Sequence, residues 1–350
     1  MKPNPKAEIV TATANTKANT TATARIRIAV CGFGNLGKSA LQAARSAPDL
    51  LPVAVFTRRP TDRIQAGDDV AVCPTSQLRL WRDRIDVLLL CGGSATDLPR
   101  QTPALAADFD IVNSFDTHRM IPAHFEAVDR VARANERLAL ISAGWDPGLF
   151  SVVRALFAAF LPDGETATFW GRGVSQGHSE AIRRIDGVLD ARAYTMPKQD
   201  VIEAFRAGRQ GAPSATDAHR RECFVAAEAQ ADRARIEQEL RDMADYFQGY
   251  ETTVTFVSQT ELERDHEALP HGGLVLRNET DGGRPSARKQ LALSLKTDSN
   301  PDLTAAILIA CARAVFRMHK RGRVGCITPL DLAPADLLPL SPAEARRAFL

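Results

Sequence analysis

Three glycines near the beginning of the chain have the spacing of a phosphate-binding turn. Gly32, Gly34 and Gly37 follow an apolar run at residues 26–31 and precede a helix-like stretch at residues 38–45. In that context the first glycine permits a tight turn, the second lets the backbone approach a pyrophosphate, and the third lets the helix pack closely. The sequence therefore predicts a dinucleotide site with its phosphates at the N-terminus of the helix.

The next strand is predicted at residues 51–57, and the residues at its end indicate which dinucleotide binds. About twenty residues beyond such glycines, an NAD site places Asp or Glu against the ribose, whereas an NADP site tends to place arginine there. This chain has Thr57, Arg58 and Arg59 at that position. Guanidinium groups and a hydroxyl bind a 2′-phosphate through charge-assisted hydrogen bonds, so we expect NADP. The alternative is that the two arginines are solvated loop charges.

Carboxylates follow two further predicted strands. Asp116 comes after an apolar run at residues 109–113, and Asp146 comes after one at residues 138–142. Both are expected at the carboxyl edge of the sheet, near a bound nicotinamide, where they can hold an ammonium or steer a proton. The alternative for Asp116 is a helix cap. Trp145 and Trp170, which lie in similarly polar blocks, have the hydrophobic core as their alternative.

The elements that must position these groups are predicted from the alternation of strands and helices. Apolar runs separated by helical stretches favour an α/β, Rossmann-like doubly wound dinucleotide-binding domain over residues 25–148. Shorter candidate strands mixed with helices favour an α+β substrate-binding and dimerisation domain over residues 149–299. An apolar helix at residues 302–320 is expected to pack back onto the first domain, so residues 300–350 are assigned to it.

Composition limits the classes of function. The 350 residues are enough for two domains. The 44 Lys and Arg residues nearly balance the 42 Asp and Glu residues, so the net charge does not favour binding to nucleic acid or to a membrane surface. The six cysteines lack metal-site spacing and suggest reduced thiols in a cytoplasmic protein, with no metal site. Residues 1–24 lack the central apolar stretch of a secretory signal, so we expect a disordered extension, with a transit peptide as the alternative.

Blocks spread over about residues 25–334 together resemble the meso-diaminopimelate dehydrogenase family. They are Gly32-Phe-Gly-Asn-Leu-Gly37, Thr57-Arg-Arg59, Cys91-Gly-Gly-Ser-Ala-Thr-Asp97, Gly144-Trp-Asp-Pro-Gly148, Ser175-Gln-Gly-His-Ser179, Arg183-Arg-Ile-Asp-Gly-Val188, Tyr246-Phe-Gln-Gly-Tyr250 and Pro270-His-Gly-Gly273. The resemblance implies reversible, NADP-dependent oxidative deamination of the D-centre of meso-2,6-diaminopimelate to L-2-amino-6-oxopimelate and ammonia. It also implies a role in lysine biosynthesis and a homodimer.

The same resemblance implies the residues of the site, with Asp116 and Asp146 as the catalytic carboxylates. The implied NADP contacts are Gly32, Phe33, Gly34, Asn35, Leu36, Gly37, Thr57, Arg58, Arg59, Cys91, Gly92, Gly93, Ser94, Ser114, Phe115, Asp116, Ala143, Gly144, Trp145, Asp146 and Pro147. The implied substrate contacts are Asp116, Asp146, Trp170, Gln176, Gly177, Thr195, Arg221, His271 and Asn300. For His271, as for His178, the alternative is a structural histidine.

Other functions stay open on the sequence. One is a different NADP-dependent oxidoreductase, such as dihydrodipicolinate reductase, homoserine dehydrogenase or a broad D-amino acid dehydrogenase. Another is a nucleotide-sensing protein without turnover. The combination of Asp146 with Arg221 and His271 suits a substrate that carries an amino acid group at each end, and it favours the diaminopimelate reaction.

Overall fold

A computed structural model describes residues 25–244, 246–280 and 288–350. The N-terminal extension expected at residues 1–24 lies outside the described residues. The first part of the described chain alternates strands with helices. Its elements are β1 (Ile26–Cys31), α1 (Asn35–Ser46), β2 (Leu50–Thr57), β3 (Ala71–Pro74), β4 (Val87–Leu90), α2 (Leu98–Leu105), β5 (Ile111–Asn113), α3 (Ile121–Ala134) and β6 (Leu138–Leu140).

The middle part mixes short helices with longer strands. Its elements are α4 (Leu149–Phe160), β7 (Glu165–Trp170), β8 (Gly173–Val174), α5 (Gln176–Ile182), β9 (Val188–Pro197), α6 (Gln199–Arg206), α7 (Ala215–Ala218), β10 (His219–Ala227), α8 (Arg233–Asp242), β11 (Glu251–Phe256), α9 (Gln259–His266), β12 (His271–Thr280) and β13 (Arg288–Thr297). The chain then ends with α10 (Asn300–Lys320), β14 (Gly325–Ile327), α11 (Pro334–Leu337) and α12 (Pro342–Phe349).

The first part forms a parallel sheet in the order β14-β6-β5-β4-β1-β2-β3. The strand β1 lies between β2 and β4, so the strand order reverses there, and the carboxyl ends of these strands flank the crevice in which such sheets bind ligands. This arrangement confirms the predicted Rossmann-like, doubly wound fold. The final strand β14 pairs with β6, so the end of the chain returns to this sheet.

The core of this sheet lies on both of its faces. Ile28, Val30 and Leu89 pack with α1 and α10 on one face, and Leu88 and Leu90 pack with α2 and α3 on the other. All four residues of β4 are buried, as expected for a strand that is covered on both sides. Because packing covers this strand on both faces, it positions the turn that follows it.

The middle part contains two further sheets. One has the order β11-β10-β9-β8, and the other has the order β13-β12-β7. Neighbouring strands are antiparallel except β10 and β11, which are parallel. Together with α4 to α9 these sheets confirm the predicted α+β organisation. None of the described helices has both the length and the apolar character needed to cross a membrane.

Candidate active site at the carboxyl edge of the sheet

The turn between β1 and α1 fits a dinucleotide pyrophosphate. A Cβ on Gly37 would lie 2.0 Å from the carbonyl oxygen of Gly32, so only glycine allows the helix to start this close to the strand. A Cβ on Gly34 would meet nothing within 4 Å, which leaves its outer side open to a ligand. The first turn of α1 has neither a capping side chain nor an acidic residue, so its free N–H groups and positive dipole end are available to phosphate.

The two arginines after β2 both lie exposed at the same edge. Arg58 forms a two-point ion pair with Asp97, with nitrogen–oxygen distances of 2.9 and 3.0 Å. Arg59 donates to the carbonyl oxygen of Phe33, and its backbone N–H donates to Oγ1 of Thr57 at 3.0 Å. The buried Thr57 therefore shapes the turn, while the two guanidinium groups remain at the surface.

Hydrogen bonds join the turns after β4 and β5. The backbone N–H of Asp116 donates to Oγ of Ser94 at 2.9 Å, and the N–H of Gly93 donates to Oδ2 of Asp97 at 3.0 Å. Asn113 is fully buried, and its side-chain oxygen accepts the N–H of Phe115 at 3.0 Å. These bonds fix the backbone on which Asp116 is carried.

The Asp116 carboxylate itself is exposed, and it accepts no hydrogen bond from the described part of the chain. It is not a helix cap, because the short helix that follows begins at His118 with Thr117 at the cap position and no side-chain cap bond. Asp116 is therefore free to bind a ligand at the edge of the sheet.

Asp146, in contrast, is already engaged. Its carboxylate accepts hydrogen bonds from Arg154 at 2.6 and 3.2 Å and from the indole N–H of Trp170 at 2.6 Å. Only 3% of the Asp146 side chain is exposed, against 29% for Arg154. The two aspartates thus differ in their surroundings, because the Asp146 side chain is buried and paired whereas Asp116 is exposed and unpaired in the described residues.

A buried histidine holds the backbone of Trp170. The N–H of Trp170 donates to Nε2 of His219 at 2.8 Å, and Nδ1 of His219 bonds the carbonyl oxygen of Ala215 at 2.9 Å. Burial lowers the pKa of His219 to about 4, so the ring is neutral, with its proton on Nδ1. Trp170 is therefore fixed at its backbone by His219 and at its ring by Asp146.

Trp145, His271 and Asn300 form a second group. The indole N–H of Trp145 donates to Oδ1 of Asn300 at 2.9 Å, and the Trp145 and His271 rings lie 4.5 Å apart. The N–H of Gly272 donates to Nδ1 of His271 at 2.8 Å, which places the proton of the neutral ring on Nε2. Burial lowers the pKa of His271. A Cβ on Gly173 would lie 2.4 Å from the His271 ring, so this glycine makes room for it.

Arg221 and Thr195 face each other across the β9–β10 pair. Nη1 of Arg221 donates to Oγ1 of Thr195, and its guanidinium carbon lies 4.1 Å from the centre of the Tyr250 ring. Both Arg221 and Thr195 are buried, and burial lowers the pKa of Arg221. No acidic side chain in the described ranges pairs with Arg221, and its Nε has no hydrogen-bond partner there. The neighbouring Arg220 instead pairs with Glu222.

Gln176 and Gly177 lie at the start of α5, exposed to solvent. Gln176 lines a cleft of about 690 Å³, whose opposite wall includes Asn35 at the start of α1. No hydrogen bond in the described residues joins Gln176 to the two groups above. His178, which follows, packs against Tyr246 and Phe247 at 5.3 and 5.4 Å, and burial lowers its pKa to about 3. These contacts fit the structural alternative for His178.

The remaining predicted cofactor residues lie on buried backbone beside these groups. Phe115 stacks on His124 with ring centres 4.2 Å apart, and the N–H of Ala143 donates to the carbonyl oxygen of Asn113 at 2.8 Å. Burial raises the pKa of the Cys91 thiol, so this cysteine packs as a neutral side chain. Ser114, Gly144 and Pro147 complete the turns after β5 and β6.

Three residues of this site were missed by the sequence analysis. The sequence could have indicated Arg154, because it is the single charged residue in the apolar stretch that forms α4. Tyr250 lies in a block that matched the family pattern without a role. His219 has no signal of its own, since its importance depends on the approach of β7 to β10.

The chain is similar to known proteins along most of its length. A family model described as the diaminopimelic acid dehydrogenase C-terminal domain matches residues 144–299. A meso-diaminopimelate D-dehydrogenase from Acetivibrio thermocellus is 46% identical over 327 residues, which cover 93% of this chain and 98% of that protein.

Two solved structures are also similar. A variant of meso-diaminopimelate dehydrogenase from Clostridium tetani, crystallised with diaminopimelate, has a TM-score of 0.88 and 40% identity, covering 93% of this chain and 100% of that chain. An engineered D-amino acid dehydrogenase bound to NADP⁺ has a TM-score of 0.84 and 39% identity, with the same coverage of both chains.

Proposed function

The chain belongs to the meso-diaminopimelate dehydrogenase family, and we propose which of its residues carry out the reaction of that family. It is an NADP-dependent oxidoreductase of lysine biosynthesis that acts on a CH–NH₂ group. With water and NADP⁺ as co-reactants, it converts the D-configured centre of meso-2,6-diaminopimelate to the oxo group of L-2-amino-6-oxopimelate, and it releases ammonia, NADPH and a proton. NADP⁺, when bound, accepts the hydride from that carbon.

The observation that carries the residue assignment is the buried, unpaired Arg221. A buried guanidinium without an anion is costly, so a site that keeps one is expected to receive a carboxylate from its ligand. Diaminopimelate carries a second amino acid group at the far end of its chain. We assign Arg221 and Thr195 to the carboxylate of that distal group, with His271 and Asn300 completing its contacts.

At the reacting end the two aspartates take different roles. Asp116 is exposed and unpaired, so it is the carboxylate that holds the reacting ammonium and takes its proton. Asp146 is paired with Arg154, and it orients the Trp170 ring as a wall of the pocket. Gln176 lines the cleft that Asn35 also lines, and we assign it, with the adjacent Gly177, to the substrate contacts from the second domain.

The cofactor is assigned to the turns after β1, β2, β4, β5 and β6. The α1 N-terminus and the open side of Gly34 take the pyrophosphate. Arg58 and Arg59 take the 2′-phosphate, since they are the exposed cations that follow β2. The turns that carry Ser94, Asp116 and Asp146 would face the nicotinamide of the bound cofactor.

The Clostridium tetani structure supports the substrate assignments. That variant carries substitutions of a glutamine, a threonine, an arginine, a Pro-His pair and an asparagine. Gln176, Thr195, Arg221, Pro270 and His271 have the same types at the same separations in this chain. Asn300 is the asparagine that follows these residues in this chain.

Stereoisomers of the substrate test this function. The meso isomer has one D-centre and one L-centre, so it alone offers a D-centre to the nicotinamide together with an L-configured distal group. We expect NADPH formation with meso-diaminopimelate and little or none with the L,L and D,D isomers. Equal rates with D,D-diaminopimelate and with simple D-amino acids would reject the assignment of a distal site.

The assembly and location of the enzyme are further parts of the proposal. A homodimer is supported by the outer face of α4, where Leu156 and Phe160 are 47% and 65% exposed. A cytoplasmic location is supported by the six free cysteines. Residues 25–148 with 300–350 are proposed as the dinucleotide-binding domain, and residues 149–299 as the substrate-binding domain, since β14 pairs with β6.

A further inference from the structure

We propose that Tyr250 is a positioning residue that determines substrate specificity, because its ring fixes the plane of the Arg221 guanidinium. The inference rests on the proposed role of Arg221 as the distal carboxylate site. The Arg221 guanidinium carbon lies 4.1 Å from the Tyr250 ring centre, which is the shortest cation–ring distance among the described residues. A guanidinium over a ring face at this distance is attracted to the ring, which restricts the orientations that the cation can adopt.

Arg221 needs such support because little else holds it. Nη1 donates to the Thr195 hydroxyl, Nε has no partner in the described ranges, and no described carboxylate pairs with the group. The Tyr250 side chain also makes a polar interaction with the guanidinium, so apart from Tyr250 a single hydrogen bond holds the group, about which it could rotate. The ring face of Tyr250 removes this freedom, so the remaining N–H groups keep one orientation toward an incoming carboxylate.

Tyr250 is itself fixed by the segment that carries it. The segment comprises residues 246–250, which follow α8. Phe247 is fully buried, and the N–H of Tyr250 donates to its carbonyl oxygen at 3.0 Å. The ring of His178 packs on Tyr246 and Phe247, and Thr252 donates its hydroxyl to the Tyr250 carbonyl oxygen at 3.3 Å. The Tyr250 ring is therefore anchored to the core of the second domain.

This arrangement links the segment to the choice of substrate. A substrate with a distal carboxylate gains from an oriented Arg221, whereas binding of NADP⁺ and the reaction at the D-centre do not use it. Loss of the ring should therefore raise KM for meso-diaminopimelate and leave kcat and the KM for NADP⁺ near their original values.

A double-mutant cycle tests the inference with the full-length enzyme. Tyr250→Leu removes the ring, Tyr250→Phe keeps the ring without the hydroxyl, and Arg221→Met removes the guanidinium. We expect Tyr250→Leu to raise KM for meso-diaminopimelate about tenfold, from the usual strength of a desolvated cation–ring contact. Tyr250→Phe should keep KM for meso-diaminopimelate close to its original value. In the Arg221→Met background Tyr250→Leu should have little further effect on kcat/KM.

The results separate failure of the inference from failure of the proposed function. If Arg221→Met raises KM strongly but Tyr250→Leu does not, the inference is overturned and the role of Arg221 stands. A loss of the same size for Tyr250→Leu in both backgrounds also overturns it, because Tyr250 would then act without Arg221. If Arg221→Met leaves KM unchanged, the distal site itself is wrong, and the inference fails with it.

Discussion

Arg154 donates two hydrogen bonds to the carboxylate of Asp146, from Nη2 to Oδ1 at 2.6 Å and from Nη1 to Oδ2 at 3.2 Å. The pair joins α4 to the turn after β6, and the indole N–H of Trp170 adds a third bond to the same carboxylate. Two aspartates that the sequence treats alike thereby differ in their surroundings, since Asp146 is buried and paired and Asp116 is exposed without a partner in the described residues.

Removal of Arg154 should damage both stability and turnover. Arg154→Met leaves the buried Asp146 carboxylate without its cation, so we expect the free energy of unfolding to fall by about 2 kcal/mol. The Trp170 ring should also lose its fixed position, and kcat should fall while the KM for NADP⁺ stays the same. Denaturant unfolding and steady-state kinetics measure these effects. Arg235→Met, which breaks an exposed ion pair with Glu239, is the control. It should change neither the free energy of unfolding nor kcat.

Substitution of the two aspartates should have different consequences. Asp116→Asn should lower kcat by about 10²–10⁴-fold, the usual loss for a general base, with an unchanged melting temperature because its carboxylate has no partner in the described structure. Asp146→Asn should lower the melting temperature as well, because it breaks the pair with Arg154. Near-normal kcat in Asp116→Asn would remove this residue from the catalytic site.

The arginines after β2 should set the preference for NADP. Replacing both Arg58 and Arg59 by Ala is expected to raise the KM for NADP⁺ by about 10–100-fold, since each removes a hydrogen bond to a charged group, and to change the KM for NAD⁺ little. Arg63→Ala, on the same loop, is the control. Equal effects on the two cofactors would show that neither arginine contacts the 2′-phosphate.

His219 should make the fold sensitive to acid. Its pKa is about 4 in the folded protein, against about 6.5 for an unfolded histidine. The unfolded chain therefore binds more protons between these values, and the stability that is present above about pH 6.5 should be lost as the pH falls toward 4. His219→Gln should show a smaller loss over the same window, measured by denaturant unfolding at several pH values. The pKa of His178 is lowered as well, but this residue is present in both the original protein and His219→Gln. It therefore contributes equally to the pH dependence of their stability.

The outer face of α4 should control assembly. Phe160→Glu places a charge on the most exposed large apolar residue of this helix, and we expect it to convert a dimer to a monomer in light scattering after size-exclusion chromatography. Leu80→Glu changes an apolar side chain that is 79% exposed elsewhere and should leave the mass unchanged. A dimer that survives Phe160→Glu would place the interface on another surface.

Much of the first domain was predictable because its strands are short, apolar and separated by glycine turns. The predicted strand at residues 51–57 lies within one residue of the observed β2 at each end. The helix α4 was missed because it is apolar on nearly all sides, so no helical period marks it. The hairpin of β12 and β13 was also not assigned, although Leu291, Leu293 and Leu295 alternate as in a strand.

The chemistry of the site was predictable only in part. Motif spacing brought the glycine turn, Asp116 and Asp146 to one edge of the sheet, because parallel strands end together. The spacing could not distinguish the two aspartates, since the partner of Asp146 comes from a helix without a motif. Likewise, the support of Arg221 by Tyr250 depends on the return of a segment after α8, which no local pattern shows.

A crystal structure of the enzyme with NADP⁺ and meso-diaminopimelate tests the central claim most directly. We predict that the D-configured carbon lies over the nicotinamide with its nitrogen within hydrogen-bond distance of Asp116. We also predict that the distal carboxylate is bound by Arg221 and Thr195. A distal carboxylate that does not contact Arg221, or an Asp116 side chain turned away from the reacting nitrogen, would contradict the account.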